Sequence, residues 1–163
     1  MTITVIGAGY VGIPTAAVFA RIGHTVSLLD VDEKRIAALR QGKLPFFEPG
    51  LAAVVAEQIA TGKLSATTEY KDAIPNAEVV FICVGTPPLP TGEVDLSYVF
   101  SAARSIAENL GSRHTLIVTK STVPVGTAEK IKEIVSSVIP IHPPVIPSLS
   151  TVIPSQVDGS RAA

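Results

Sequence analysis

The sequence has a single cysteine, Cys83, among its 163 residues, so neither an intrachain disulfide nor a multi-cysteine metal site can form within it. One lone thiol suits a reducing cytoplasm, and cytoplasmic residence is the expectation. Charge is also sparse. Only 17% of residues are charged, the formal net charge is -1, and no basic cluster occurs. This argues against nucleic acid and against an anionic membrane, and leaves small molecules as the expected partners. No charged side chain stands before Arg21. The apolar stretch Ala16-Ala17-Val18-Phe19-Ala20 therefore lacks the positive charge that precedes the core of a secretory signal. No other segment approaches the length needed to span a bilayer, and the chain reads as soluble. His24 and His114 each precede a strand without a third ligand, so no metal site is expected.

What the chain does have is apolar content, 47% by residue, enough for one good core and one compact domain. An apolar strand, Thr2 to Ile6, runs into Gly7-Ala8-Gly9-Tyr10-Val11-Gly12. This is the G-x-G-x-x-G pattern of a dinucleotide-binding turn. Gly7 permits the tight turn, Gly9 lets the main chain approach a pyrophosphate, and Gly12 lets the next helix pack on the strand. Amides at that helix's start, backed by the positive end of its dipole, would face the anion. Asp30 stands 18 residues after Gly12, at the end of the strand Val26-Ser27-Leu28-Leu29. There its carboxylate is placed to accept hydrogen bonds from the adenosine ribose. A 2′-phosphate would meet that negative charge, so NAD is favoured over NADP. Asp32 precedes Glu33 and the periodic Ile36, Ala37 and Leu39, and its expected job is to cap a helix.

Farther along, apolar runs alternate with helical patterns. Helices are predicted over 32–40, 49–60, 70–74, 96–110 and 127–138, and strands over 64–67, 79–84 and 115–119. The run Val79-Val80-Phe81-Ile82-Cys83-Val84 is continuously apolar, as a parallel strand covered on both faces would be. This alternation, with right-handed crossovers, gives an α/β fold: a Rossmann-type doubly wound parallel sheet in a single, incomplete domain. Ligands of such sheets sit beyond the carboxyl ends of the strands. Those ends carry Gly7 to Gly12, Asp30, Gly85-Thr86-Pro87 and Lys120-Ser121-Thr122.

Five strings go further than a generic fold of this kind: Gly9-Tyr10-Val11-Gly12, Phe47-Glu48-Pro49-Gly50-Leu51, Val84-Gly85-Thr86-Pro87, Asp95-Leu96-Ser97-Tyr98-Val99 and Lys120-Ser121-Thr122-Val123-Pro124-Val125-Gly126-Thr127. Together, over about residues 1 to 138, they resemble the amino-terminal NAD-binding domain of the UDP-glucose/GDP-mannose dehydrogenase family, nearest to its UDP-glucose 6-dehydrogenases. The resemblance implies a four-electron oxidation in which a nucleotide sugar's C6 alcohol becomes an aldehyde and then a carboxylate, with two NAD reduced in succession. A cysteine from a later domain forms the covalent intermediate in that family, and the family is homo-oligomeric. Carried onto this sequence, the resemblance makes Gly7, Gly9, Tyr10, Val11 and Gly12 the pyrophosphate loop and gives Asp30 the adenosine ribose. Arg35 falls at a usually basic position that contacts the same end of NAD. Thr86 and Thr122 approach the cofactor's ribose and nicotinamide side, Thr122 also helping to position water near the reacting carbon. Read from the residues alone, Arg35 is also compatible with a solvated helix position. Thr86 and Thr122 are likewise compatible with caps of the helices that follow.

Cys83 is not the family's nucleophile. It lies mid-strand among Phe81, Ile82 and Val84, where a thiol is a small buried hydrophobe with a raised pKa. After Ile139 the family's Asn-Pro-Glu-Phe-Leu-type segment does not appear. Residues 140–163 hold five of the 13 prolines, with Asp158 and Arg161 as the only charges. The expectation is a truncated or frame-shifted dehydrogenase: an NAD-binding domain over 1–139, then a Pro-rich, disordered, non-family tail, with the nucleophile and the pairing elements missing. Such a chain would be inactive alone. Two other readings stay open, a non-catalytic NAD-binding module and the cofactor domain of another hydroxyl dehydrogenase.

Overall fold

The computed structural model describes residues 1–139. The expected break at residue 140 and the Pro-rich segment after it lie outside the described residues. In chain order the elements are β1 (Thr2–Ile6), α1 (Gly12–Arg21), β2 (Thr25–Leu29), α2 (Glu33–Arg40), α3 (Leu51–Ala60), β3 (Leu64–Thr67), α4 (Tyr70–Ala73), β4 (Val79–Ile82), α5 (Ser97–Asn109), β5 (Leu116–Thr119) and α6 (Thr127–Val138). The strands form one sheet in the order β3-β2-β1-β4-β5. Every pairing is parallel, with Ile6 opposite Leu29 on one side and Ile82 on the other. This is the doubly wound α/β sheet expected of the alternating pattern, with the order reversing beside β1.

Strand periodicity divides the core between two faces. Ile3 and Val5 of β1 pack with Ile13, Ala16, Ala17 and Ala20 of α1, with Ile36 and Leu39 of α2 and with Val55 of α3. Ile6, Val80 and Ile82 face the other way, against Ile74, Val99, Ala102, Ala103, Ile106 and Ile131. Small residues on α1 and α5 bring the helix axes close to the sheet. Full burial of each Val, Leu or Ile contributes roughly 1.5–3 kcal/mol. The one buried hydroxyl in β1 is satisfied, since Thr4 donates to the Ala73 carbonyl at 2.6 Å.

Several boundaries differ from the sequence pattern by one or two residues, three of them for a clear local reason. β4 stops at Ile82 because its partner β1 ends at Ile6, although Cys83 still donates its amide to the Ile6 carbonyl. α3 starts at Leu51 rather than Pro49 because Gly50, at φ 79°, sits at its N-cap in the left-handed region. β5 starts at Leu116, and the Thr115 hydroxyl donates to the Ala77 carbonyl instead. Among the described residues β5 has a partner on one side only. At the opposite rim, the Met1 ammonium lies 3.4 Å from His24 Nδ1, and the Thr2 amide donates to Glu78 at 2.7 Å. Among the described residues no helix is long and apolar enough to cross a membrane.

Candidate cofactor site

Since all five strands run the same way, their carboxyl ends open on one rim, and a cleft of about 840 Å³ lies there. That volume lies within the range of small-molecule and cofactor sites. Its floor and walls include Gly7, Gly9, Tyr10 and Val11 after β1, Asp30 to Asp32 after β2, and Arg35 on α2. The exits of β4 and β5 contribute Val84 to Thr86 and Lys120 to Thr122. Of the residues singled out from the sequence, all but Gly12 line this cleft.

The three glycines of the loop turn out to be glycines for different reasons. Gly7 has φ 104°, and a Cβ there would lie 2.6 Å from the Cys83 carbonyl oxygen, so both conformation and packing require it. A Cβ on Gly12 would overlap the Gly7 carbonyl oxygen, with Cys83 in ordinary contact beside it, so Gly12 sets the approach of α1 to the glycine turn. Gly9 has nothing within 4 Å of where its Cβ would stand. No protein packing accounts for it. The helix that follows has no side-chain cap: Val11 occupies the N-cap position and makes no capping bond. Among the described residues the amides of Gly9, Tyr10, Val11 and Gly12 find no acceptor. Pro14, inside the first turn, has no N–H to satisfy. The start of α1 therefore offers the cleft unpaired donors and positive dipole, the chemistry that holds a diphosphate.

Asp30 is buried, with 8% of its surface exposed, and both of its carboxylate oxygens are engaged. Its Oδ2 accepts the Ala8 amide at 2.6 Å and the Arg35 guanidinium at 2.9 Å, while Oδ1 accepts the Asp32 amide at 3.0 Å. The acid at the end of β2 thus has a structural task that its spacing did not reveal: it fastens the glycine loop to the second strand. A carboxylate has about four acceptor positions, and three are used. Arg35 is neither simply solvated nor simply free, for it also lies 3.7 Å from Asp32. Two carboxylates around one guanidinium leave this corner negative. Asp32 itself caps α2, accepting the Arg35 amide at 3.0 Å, as its position predicts.

Thr86 and Thr122 come together across the far wall, where the Thr86 hydroxyl donates to the Thr122 carbonyl at 3.1 Å. Neither caps a helix. Leu96 and Gly126 occupy the N-cap positions of α5 and α6, and neither position carries a side-chain capping bond. Cys83 is buried beneath Gly7, and burial, opposed only in part by the Lys120 charge, pushes its thiol from 9.0 up to about 11. Cys83 stands one residue past the end of β4 rather than mid-strand, yet it is a packing thiol, because its amide still bonds to the Ile6 carbonyl and keeps the side chain buried.

Lys120 lines the cleft at its strand end, and Tyr70, Tyr98 and Ser101 line it too, although none of those three stood out as a ligand candidate in the sequence. Tyr98 and Ser101 are three apart on α5 and share a face, which is the signal that could have found them. Burial first, and the Asp30 charge second, hold the Tyr70 phenol above its ordinary pKa, so it stays a neutral donor. Tyr10 stacks on Phe46, ring centroids 4.3 Å apart, which pins the glycine loop to the 41–50 segment.

Comparisons with known proteins identify the family and the fold. Residues 1–141 match the model of the UDP-glucose/GDP-mannose dehydrogenase family, NAD binding domain. A UDP-glucose 6-dehydrogenase of Rhizobium meliloti is 50% identical over 141 residues, covering 86% of this chain and 32% of that protein. A UDP-glucose 6-dehydrogenase of Pseudomonas aeruginosa is 44% identical over 83% of this chain and 30% of its own length. Among solved structures, a ternary complex of GDP-mannose dehydrogenase from Pseudomonas aeruginosa superposes with a TM-score of 0.81 at 38% identity, over 85% of this chain and 32% of that one. The chain spans about a third of the length of the curated relatives it matches. With most of its residues inside the family model, the chain belongs to the UDP-glucose/GDP-mannose dehydrogenase family, as its NAD-binding domain.

Proposed function

We propose that the chain is the cofactor half of an NAD-dependent UDP-sugar 6-dehydrogenase, the reading favouring UDP-glucose oxidised to UDP-glucuronate. The observation that carries it is Gly9. Its neighbours in the motif are explained by packing, whereas Gly9 faces open cleft beside four amides that find no acceptor among the described residues. A diphosphate is the group whose size and charge account for both. In this reading Gly7, Gly9, Tyr10, Val11 and Gly12 form the pyrophosphate loop within a domain over 1–139. Asp30 gives its remaining acceptor position to the adenosine ribose, with Arg35 beside it. Thr86 and Thr122 meet the nicotinamide half, and Thr122 orients water near the reacting carbon. When bound, NAD would supply the acceptor for one hydride, and a second NAD bound in its turn would take the other.

The chain's own residues would bind and orient the cofactor and leave the covalent step to another thiol. Cys83, buried with a pKa of about 11, has almost no thiolate at neutral pH. Positioning accounts for roughly 7–11 kcal/mol of a barrier at best, and a half-site forgoes most of it. This chain alone is therefore expected to bind NAD without turnover. The nucleotide sugar, a cytoplasmic location and homo-oligomeric assembly belong to the same proposal and rest on the family.

Titration calorimetry of the 163-residue chain with NAD and NADP tests the reading. NAD is expected to bind at least ten-fold more tightly, because a 2′-phosphate would enter the negative corner of Asp30 and Asp32. No heat with either cofactor, from folded protein, would defeat the proposal. A coupled assay with UDP-glucose, UDP-N-acetylmannosamine and GDP-mannose checks the predicted silence of the isolated chain.

A further inference from the structure

We infer that Ser121 is a positioning residue: with Thr86 it forms a two-bond clasp between the exits of β4 and β5 that holds the cleft wall for the nicotinamide half of the dinucleotide. The inference rests on the cofactor reading proposed above. Pyrophosphate at α1 and adenosine at β2 direct the rest of the molecule across β1, toward the exits of β4 and β5.

The clasp is reciprocal. From the β5 side, Ser121 Oγ donates to the Val84 carbonyl at 2.7 Å. From the β4 side, Thr86 Oγ1 donates to the Thr122 carbonyl at 3.1 Å. Ser121 Oγ also lies 3.4 Å from the Ile82 carbonyl, but that oxygen already accepts the Lys120 amide at 2.8 Å and the Ser121 amide at 3.1 Å. A hydroxyl has one proton, and it goes to Val84. Val84 lies two residues beyond the end of β4, and among the described residues its carbonyl has no other donor. Ser121 thus replaces the ladder where the ladder has stopped.

The location makes the clasp matter. β5 is paired on one side only among the described residues, and none of its residues is buried. Its exit therefore has less to hold it than the exits of β1 and β2. Val84, Gly85, Thr86, Ser121 and Thr122 all line the cleft. With Thr86 bonding to the Thr122 carbonyl and Ser121 to the Val84 carbonyl, the Thr122 hydroxyl makes no hydrogen bond among the described residues and is left available to a ligand. Losing one such bond weakens the ordered state about five-fold, the equivalent of about 1 kcal/mol.

The experiment compares NAD with ADP, which keeps the adenosine and the pyrophosphate but lacks both the ribose and the base of the nicotinamide half. Calorimetry on the full chain is run for the wild type, Ser121→Ala and Ser121→Thr. Ser121→Ala is expected to weaken NAD five- to ten-fold and to leave ADP within two-fold, and Ser121→Thr, which keeps the hydroxyl, to recover most of the loss. Unchanged NAD affinity in Ser121→Ala overturns the inference. Equal weakening of both ligands overturns it too, since that is general loss of structure. If the wild type binds neither ligand, the cofactor reading falls and takes the inference with it; binding of both by the wild type, without the split, sinks the inference alone. Hydrogen exchange on the wild type needs no variant: amides of 84–86 and 120–123 are expected to gain protection with NAD and not with ADP. Identical protection with the two ligands also counts against the clasp.

Discussion

The Asp30 carboxylate accepts the Ala8 amide at 2.6 Å, so the acid assigned to the ribose also holds the glycine loop in place. Removing it does two things at once. Asp30→Ala leaves a buried amide without an acceptor and the Arg35 guanidinium without its nearer partner, and the expected loss of stability is about 2 kcal/mol. Affinity for NAD is expected to fall at least ten-fold. Urea denaturation and calorimetry on the same preparation read the two effects. A variant that loses ribose affinity with no loss of stability would show that the Ala8 bond contributes little.

Gly9 and Gly12 separate a ligand's demand from the protein's own. Gly12→Ala forces a methyl into the Gly7 carbonyl and is expected to cost several kcal/mol or abolish folding. Gly9→Ala meets open space, so the unfolding free energy should stay within about 0.5 kcal/mol of the parent while NAD affinity drops ten-fold or more. Undiminished NAD affinity in Gly9→Ala would remove the main support for a diphosphate in this loop.

Cys83 should behave as an inert thiol. Its pKa, raised from 9.0 to about 11 by burial, favours the neutral form, so its contribution to stability is complete below about pH 9 and is lost as the pH rises through about 11. Alkylation by iodoacetamide at pH 8 is expected to be at least ten-fold slower in the native chain than in the urea-unfolded chain. Rapid native labelling at pH 8 would contradict the burial and reopen a chemical role for this cysteine.

Asp32 offers a simpler check. Its side chain accepts the Arg35 amide at the start of α2, so Asp32→Ala is expected to cost about 1 kcal/mol, and Asp32→Asn much less. Denaturation midpoints of the two variants would decide between capping and charge as the source of the effect.

Much of this was legible in the sequence because it depended on local chemistry. Gly7 and Gly12, the capping Asp32 and the apolar alternation of β1 and β4 are dictated within a few residues of themselves, and the strand ends then follow from topology. What was not legible depends on pairs distant in the chain. Nothing near Asp30 announces the Ala8 amide, and nothing near Ser121 announces the Val84 carbonyl, 37 residues away. Thr86 and Thr122 look like helix caps when read with the helices that follow them, yet in the fold each finds the other. The stacking of Tyr10 on Phe46 likewise arises only when the 41–50 segment folds back over the loop.

The Met1 ammonium beside His24 stands at the amino-terminal rim of the sheet, with β1 running from it toward the cleft. A tether attached at residue 1 would therefore emerge on the far side of the molecule from the ligand. The protein can be fixed to a sensor surface through that end with its mouth turned to free solution, so binding kinetics measured there should match those of the untethered chain.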